Sequence, residues 1–417
     1  MNNTVPYTDM KDSGIKWIGS VPASWNVRTL YQLATRVNNK NSDLSEQNLL
    51  SLSYGKIKRK DINTNDGLLP ASFDGYNVIE AGDIVLRLTD LQNDHTSLRV
   101  GQATERGIIT SAYTTLRPID PAYSRYLYYL IHAFDLKKGF YGMGSGVRQG
   151  LNYDEVKELR VVLPSQEEQN VIISYLDGIC TQIDSMIQEA QESTSEYVQW
   201  RKAVIFEAVT KGLNPSVEMK ESRIEWAGLV PKHWKVSRIK NELDNLDYLR
   251  EPISAEKREN TLGLYDYYGA SGVIDKIDSF NVDDTVLLIG EDGANLLMRN
   301  LPLVYRARGK FWVNNHAHIL KVHSDNSYGF MAYLLEAGDY TVYITGSAQP
   351  KLSQSNLMRF PIVVPPIDEQ REIEAYLDKK CGTIDQLIKE KLELTENLEL
   401  YKRSLIYEAI TGKRKVV

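Results

Sequence analysis

Glu168-Gln169, Tyr175-Leu176-Asp177, Cys180, Ile183-Asp184, Ile187, Glu207-Ala208 and Thr210 mark a stretch that occurs twice in this chain. The second copy, 201 positions on, reads Glu369-Gln370, Tyr376-Leu377-Asp378, Cys381, Ile384-Asp385, Ile388, Glu408-Ala409 and Thr411. Apolar residues recur at every third or fourth position, Ile172, Leu176, Ile179, Ile183, Met186 and Ala190, and then at Tyr197 and Val204, two turns apart. That spacing marks one face of an α-helix. Ser165 and Glu168 have the form of a capping box, and Gly212 and Pro215 supply stop signals. The pattern predicts helices over 164–210 and 365–411, each roughly 65–70 Å long at ~1.5 Å per residue. A narrow apolar stripe on so long a helix needs a partner helix, and the other copy is the obvious one. Ile172, Leu176 and Ile183 of the first helix, with Ile373, Leu377 and Ile384 of the second, are the expected packing positions.

A second repeat precedes each helix. Residues 9–25, from Asp9 through Trp17 and Pro22 to Trp25, return 209 positions later as 218–234, from Glu218 through Trp226 and Pro231 to Trp234. The chain therefore reads as two units of about 200 residues, each with a Trp-Pro-Trp lead-in, a variable domain and a long helix. The expected organisation is a domain over 1–162, a helix over 163–212, a second domain over 213–363 and a helix over 364–417. The fold class is α+β: two similar mixed α/β domains separated by an antiparallel pair of long helices, related by a pseudo-two-fold. The lead-in aromatics are expected to pack against a helix end.

Composition is that of an ordinary globular protein, 42 % hydrophobic and 25 % charged among 417 residues. No apolar run approaches the ~20 residues that span a bilayer, and the N-terminus lacks signal-peptide features, so a cytoplasmic location and no membrane partner are expected. The net charge of −6 argues against a protein that simply coats DNA. Residues 1–162 hold 19 basic and 17 acidic side chains, whereas 163–212 hold 3 and 8. Any nucleic-acid contact must then use local patches in the variable domains, with help from a more basic partner. Cys180 and Cys381 sit at equivalent helix positions beside the apolar stripe and read as buried thiols.

The first variable domain shows strand signals at 49–54, 83–88, 107–110 and 113–117, and a helix signal at 122–134. Its polar loops carry the densest basic cluster outside the C-terminus, Lys56, Lys58, Arg59 and Lys60. They also carry Arg87, Thr89, Gln92, Asn93 and Tyr113, and a Gly-rich loop with Ser145, Arg148 and Gln149. Arg, Gln and Asn pair bidentately with guanine or adenine edges, so these residues are candidates for DNA contact. The second variable domain offers Tyr268, Ser271, Glu291, Asp292, Asn295, Asn315, His316, Ser347, Gln349 and Lys351 in the corresponding loops. Glu291 or Asp292 could accept from cytosine's amino group.

Catalytic signatures are missing. The Gly144 loop lacks the Lys-Ser/Thr ending of a phosphate loop, and Val364-Pro365-Pro366-Ile367 lacks the polar and aromatic residues of an amino-methyltransferase loop. His316, His318 and His323 have no nearby Cys to complete a metal site, and no metal is expected.

The duplicated plan resembles the specificity subunit of type I restriction–modification enzymes. The likeness rests on the two lead-ins of the Lys-Asp-Ser-Gly-Ile-Lys-Trp-Ile-Gly type, the Thr345-Gly346-Ser347-Ala348-Gln349-Pro350 loop, and the Pro-Pro-Ile-Asp-Glu-Gln run at 365–370. The resemblance implies two target-recognition domains, each reading one half of a split, asymmetric site in double-stranded DNA, on a chain that performs no chemistry. It implies two modification subunits that carry S-adenosylmethionine, and motor-nuclease subunits that use ATP and Mg, with no cofactor on this chain. Half-site centres about one helical turn (~34 Å) apart are expected. The competing expectation is a protein-assembly scaffold built on the helical rod, without DNA specificity.

Overall fold

The computed structural model describes residues 7–416 apart from 64–69, 92, 95, 144–149 and 259–262. The two repeated stretches are unbroken helices, Gln166–Lys211 and Ile367–Ile410. The chain divides into two compact units, Met1–Ala190 with Glu393–Val417, and Gln191–Leu392. The first long helix therefore starts in unit 1 and ends in unit 2, and the second does the reverse.

In unit 1, Ile172, Leu176 and Cys180 near the start of the first helix share a core with Ile406, Ala409 and Ile410 near the end of the second. Further along, Lys402 Nζ lies 2.6 Å from Asp184 Oδ1. Rising numbers in one helix meet falling numbers in the other, so the segments run antiparallel. In unit 2 the same arrangement joins Ile205, Ala208 and Val209 to Ile373, Leu377 and Cys381, with Arg201 Nε 2.8 Å from Asp385 Oδ1. Ile183 and Ile384 are also buried. Burying such a stripe is what stabilises helices whose outer faces are charged.

The half of the capping box that forms is Glu168 N–H to Ser165 Oγ, at 3.3 Å. The Glu168 carboxylate instead accepts from the Tyr7 hydroxyl of the lead-in. Burial and that carboxylate push the Tyr7 hydroxyl's pKa well above its ordinary value.

The lead-in of unit 1 is a hairpin, Met10–Asp12 with Ser20–Pro22, and that of unit 2 is Met219–Glu221 with Leu229–Pro231. The register is the same at the 209-residue offset: Met10 pairs with Pro22, and Met219 with Pro231. Each hairpin is followed by a fully buried tryptophan, Trp25 or Trp234. Trp25 packs on Gly412 just past the second helix, and Trp234 on Gly212 just past the first. Both glycines have positive φ, 68° and 73°, the left-handed cap that ends a helix most cheaply with Gly. Unit 1 is thus closed by the far end of the chain: the Tyr407 hydroxyl donates to Trp17 O at 3.1 Å, and the Lys413 ammonium donates to Ser20 O.

The variable domains share a core plan. Asn26–Thr29 pairs antiparallel with Arg160–Leu163, and Lys235–Arg238 pairs in the same register with Pro361–Val364. In unit 1 a four-stranded antiparallel sheet runs in the order Ala34–Arg36, Thr114–Pro118, Ile84–Leu86, Val100–Gln102. The helix Ser124–Leu136 packs into the same core. Unit 2 runs Leu243–Asn245, Ala317–Val322, Val282–Gly290, Val304–Val313, with helix Tyr328–Ala337 in the equivalent place. Its sheet then extends by a hairpin, Tyr265–Gly269 with Gly272–Ile277, joined through a parallel pairing of Tyr265–Gly269 with Val304–Val313. Unit 1 instead carries two separate ribbons, Leu50–Ser53 with Lys56–Arg59, and Asn77–Ile79 with Gly107–Ile109. Among the described residues, no helix is long and apolar enough to cross a membrane.

Candidate nucleic-acid interface

One backbone joint recurs in both units and brings the variable loops together. In unit 1, Leu151 N–H donates to Leu88 O at 2.9 Å, tying the end of the Gly-rich loop to the loop that follows the Ile84–Leu86 strand. In unit 2, Leu352 N–H donates to Glu291 O at 2.7 Å, tying the Thr345–Lys351 loop to the loop after the Val282–Gly290 strand. Both loops follow equivalent central strands, and both joints precede a short helix capped by a side chain, Asn152 or Ser353.

The loop of unit 2 rests on a buried ionic network. Glu291 is 7 % exposed, and its carboxylate is shared by Arg250 and by Lys351, whose Nζ lies 2.9 Å from Oε1. Burial pushes the Glu291 carboxyl up, but Lys351 and Arg250 outweigh it and hold the group below its ordinary value. Beneath it, fully buried His318 reaches Asp247 Oδ2 at 2.6 Å with Nδ1 and Leu352 O at 2.8 Å with Nε2. The ring is thereby held between an aspartate of the preceding segment and the backbone of the joint itself. Asp292 bonds His316 Nδ1 at 2.8 Å, and Gly293 N–H donates to Pro350 O at 3.0 Å. Gly346 has φ +86°, and a Cβ there would meet Gln349 O at 2.5 Å, so this loop closes on itself only with glycine.

The loop of unit 1 is organised by Arg99, whose side chain is completely buried. Its Nη1 donates to Thr89 O at 2.7 Å and to Arg87 O at 3.3 Å; its Nη2 donates to Asp90 O at 3.1 Å and Asp94 O at 2.5 Å. Nε donates to the Tyr141 hydroxyl at 2.9 Å. Asp94 also accepts from Ser97 and Thr96 N–H groups, which, Ser97 first, hold its carboxyl well below the usual range.

These placements sort the sequence candidates. Lys56, Lys58, Arg59 and Lys60 are exposed on or just past one ribbon, and Arg59 is tied to Glu105. Thr89 and Asn93 are exposed in the Arg99-braced loop, while Arg87 is half-buried, 3.8 Å from Asp94. Tyr113 is half-buried against the core under the ribbons. Gln92, Ser145, Arg148 and Gln149 lie outside the described residues. In unit 2, Asp292, Asn315, His316, Ser347, Gln349 and Lys351 come together around the two joined loops. Ser271 is exposed at a hairpin tip, and Tyr268 is half-buried edge-on to Phe311.

Two candidates serve the fold instead of offering themselves to a base. Glu291 is a brace: its oxygens are occupied by two cations, which corrects the expectation that it accepts from cytosine. Asn295 is spent on its own loop, donating to Leu301 O at 3.1 Å and accepting from Leu301 N–H at 2.9 Å. The three histidines do not converge. His316 lies before the strand begins, and His316, His318 and His323 bond three different aspartates, Asp292, Asp247 and Asp244.

The family model described as the type I restriction modification DNA specificity domain matches residues 231–396. A putative type I restriction enzyme MjaX specificity subunit of Methanocaldococcus jannaschii is 23 % identical over 429 aligned positions, 96 % of each chain. Over nearly its whole length the chain is thus similar to specificity subunits of type I restriction enzymes. A putative type I restriction enzyme specificity subunit of Haemophilus influenzae is 29 % identical over 157 residues, 38 % of this chain. The aligned stretch spans 37 % of that relative's length, and a stretch 32 % identical spans 29 % of the EcoprrI specificity subunit of Escherichia coli. A chain solved in work on complex assembly and conformational transition of the type I R-M system shares this fold. Its TM-score is 0.68 at 14 % identity, covering 94 % of this chain and 98 % of that one. The family match falls largely in unit 2, and the internal repeat extends the same plan to unit 1.

Proposed function

We propose that the chain is the non-catalytic DNA sequence-recognition subunit of a type I restriction–modification complex. Each unit reads one half of a split, asymmetric site in double-stranded DNA through its joined loops. The observation that carries this reading is the recurrent joint: the same strand-end loop is bonded to the same helix-leading loop in both units, with different side chains displayed. One frame with two sets of exposed polar groups is what two unlike half-sites require.

The domains, in this reading, are the variable parts over 1–162 and 213–363, and the long helices are the spacer that sets half-site separation. Two modification subunits supply methyl transfer from S-adenosylmethionine, and motor-nuclease subunits supply ATP- and Mg-dependent cleavage. The chain itself binds no cofactor and acts in the cytoplasm. The test is a mobility shift of the full chain, assembled with its modification partner, on a random duplex pool. Enrichment of a bipartite sequence supports the reading. Equal retention of all duplexes, or none, favours an assembly scaffold.

A further inference from the structure

The ribbon Leu50–Ser53 with Lys56–Arg59 turns through Tyr54 and Gly55, both at positive φ, 48° and 76°. This is the pattern of a type I′ turn, whose favoured residues are Asn, Asp and Gly. A bulky aromatic in the left-handed region bears a steric penalty. Tyr54 buries little in return: the residue is 79 % exposed. Breaking a local rule without gain to the fold is what functional positions do.

The ribbon's two faces differ. Leu50, Leu52 and Ile57 pack with Val37, Ile79, Val85 and Ile109. On the opposite face Lys58 pairs with Ser51, and Lys56 with Ser53. Lys60 continues the period of two onto that face. Among the described residues, Lys56, Lys58 and Lys60 form no ion pair, whereas Arg59 is taken by Glu105. A Cβ on Gly55 would lie 3.1 Å from Leu98 Cβ and 3.4 Å from Val100 O. The tip therefore sits hard against the strand that leaves the Arg99-braced loop.

We propose that Tyr54 is a base-contacting wedge for the half-site read by unit 1. A two-stranded ribbon fits the major groove, three lysines on one face suit the flanking phosphates, and the tip ring then packs on a base step. The hairpin of unit 2 turns through Ala270 and Ser271, so no aromatic stands at its tip, and the contact belongs to one half-site. This inference rests on the DNA-recognition reading and adds a residue to it.

The test uses the full chain assembled with its modification partner. The probes are fluorescein-labelled duplexes carrying the site that the wild-type complex selects from a random pool. 2-Aminopurine is placed in turn at each position of the first half-site. Tyr54→Ala should raise Kd about five- to a hundredfold and abolish the 2-aminopurine signal change at one or two adjacent positions. It should leave the slope of log Kd against log salt unchanged, whereas Lys58→Ala should lower that slope by about one. Tyr54→Phe should stay within about threefold of wild type. Unchanged Kd and fluorescence in Tyr54→Ala, or equal losses in Tyr54→Phe and Tyr54→Ala, would overturn the proposal. A wild-type complex that selects no site would overturn the DNA-recognition reading itself.

Discussion

Lys402 Nζ and Asp184 Oδ1, 218 residues apart in sequence, lie 2.6 Å from each other in unit 1. Their repeat equivalents, Arg201 and Asp385, form the matching pair in unit 2 at 2.8 Å. Each pair bridges antiparallel segments of the two long helices, with the acid on one and the base on the other. All four side chains keep contact with solvent, between 24 % and 53 % exposed, so each pair should contribute no more than about 1 kcal/mol. Lys402→Ala should therefore shift the urea midpoint only slightly. Leu377→Ala, which empties a fully buried position, should cost about 2–5 kcal/mol. Urea denaturation followed by circular dichroism checks both.

Arg99 organises the loop after the Ile84–Leu86 strand through four carbonyl oxygens and a tyrosine hydroxyl. Removing it leaves those buried acceptors unpaired, so Arg99→Ala should destabilise unit 1 by about 3–5 kcal/mol. Lysine has one point charge in place of a planar fork, and Arg99→Lys should restore little. In a methylation assay with the assembled complex, Arg99→Lys should relax preference at the first half-site and leave the second unchanged.

The helix Ser124–Leu136 holds two titratable groups with opposite pH signatures. Burial, opposed by the Arg99 N–H, raises the Asp135 carboxyl from 3.8 to about 6. Its folded value exceeds its unfolded one, so its favourable contribution is complete below pH ~4 and is lost as pH rises through about 6. Asp135→Asn should thus gain stability relative to wild type at pH 7, by on the order of 2–3 kcal/mol. Burial, helped by Lys402, Arg403 and Arg125, lowers His132 from 6.5 to about 4. Its contribution is present above pH ~6.5 and is lost as pH falls towards 4. His132→Phe should flatten the acid limb of the stability curve, and thermal melts from pH 4.5 to 7.5 separate the two.

The long helices were legible because apolar spacing and a 201-residue repeat agree, and the structure ends them within two residues of that reading. The strands at 50–53, 84–86 and 107–109 were legible for the same reason: short apolar runs between turn residues. The braces beneath the loops were not. Arg250 and Asp247 meet Glu291 and His318 only through the sheet order of unit 2, and Arg99 turns back onto carbonyls of its own loop, so no sequence pattern marks them. Glu291 looked like a base reader because an acid in a Gly-flanked loop carries no sign of the two cations that occupy it. Tyr54 could have been found: Tyr-Gly between two alternating runs is a hairpin signal with the wrong first residue.

The spacer role proposed for the long helices makes a geometric prediction. Four residues inserted into each long helix, near Ala190 and Leu392, add a little over one turn and roughly 6 Å, leaving the apolar faces about 40° out of phase. The preferred gap between half-sites should lengthen by about two base pairs, as read by binding to duplexes of stepped spacing. An unchanged preference would remove the helices from the role of ruler.

The most direct measurement is methylation-sensitive sequencing of DNA modified by the assembled complex, with the natural chain and with residues 27–162 replaced by the equivalent domain of a relative. The account predicts a bipartite, adenine-methylated motif in which the exchange alters one half and preserves the other half and the gap. A contiguous motif, or an exchange that changes both halves, would contradict it.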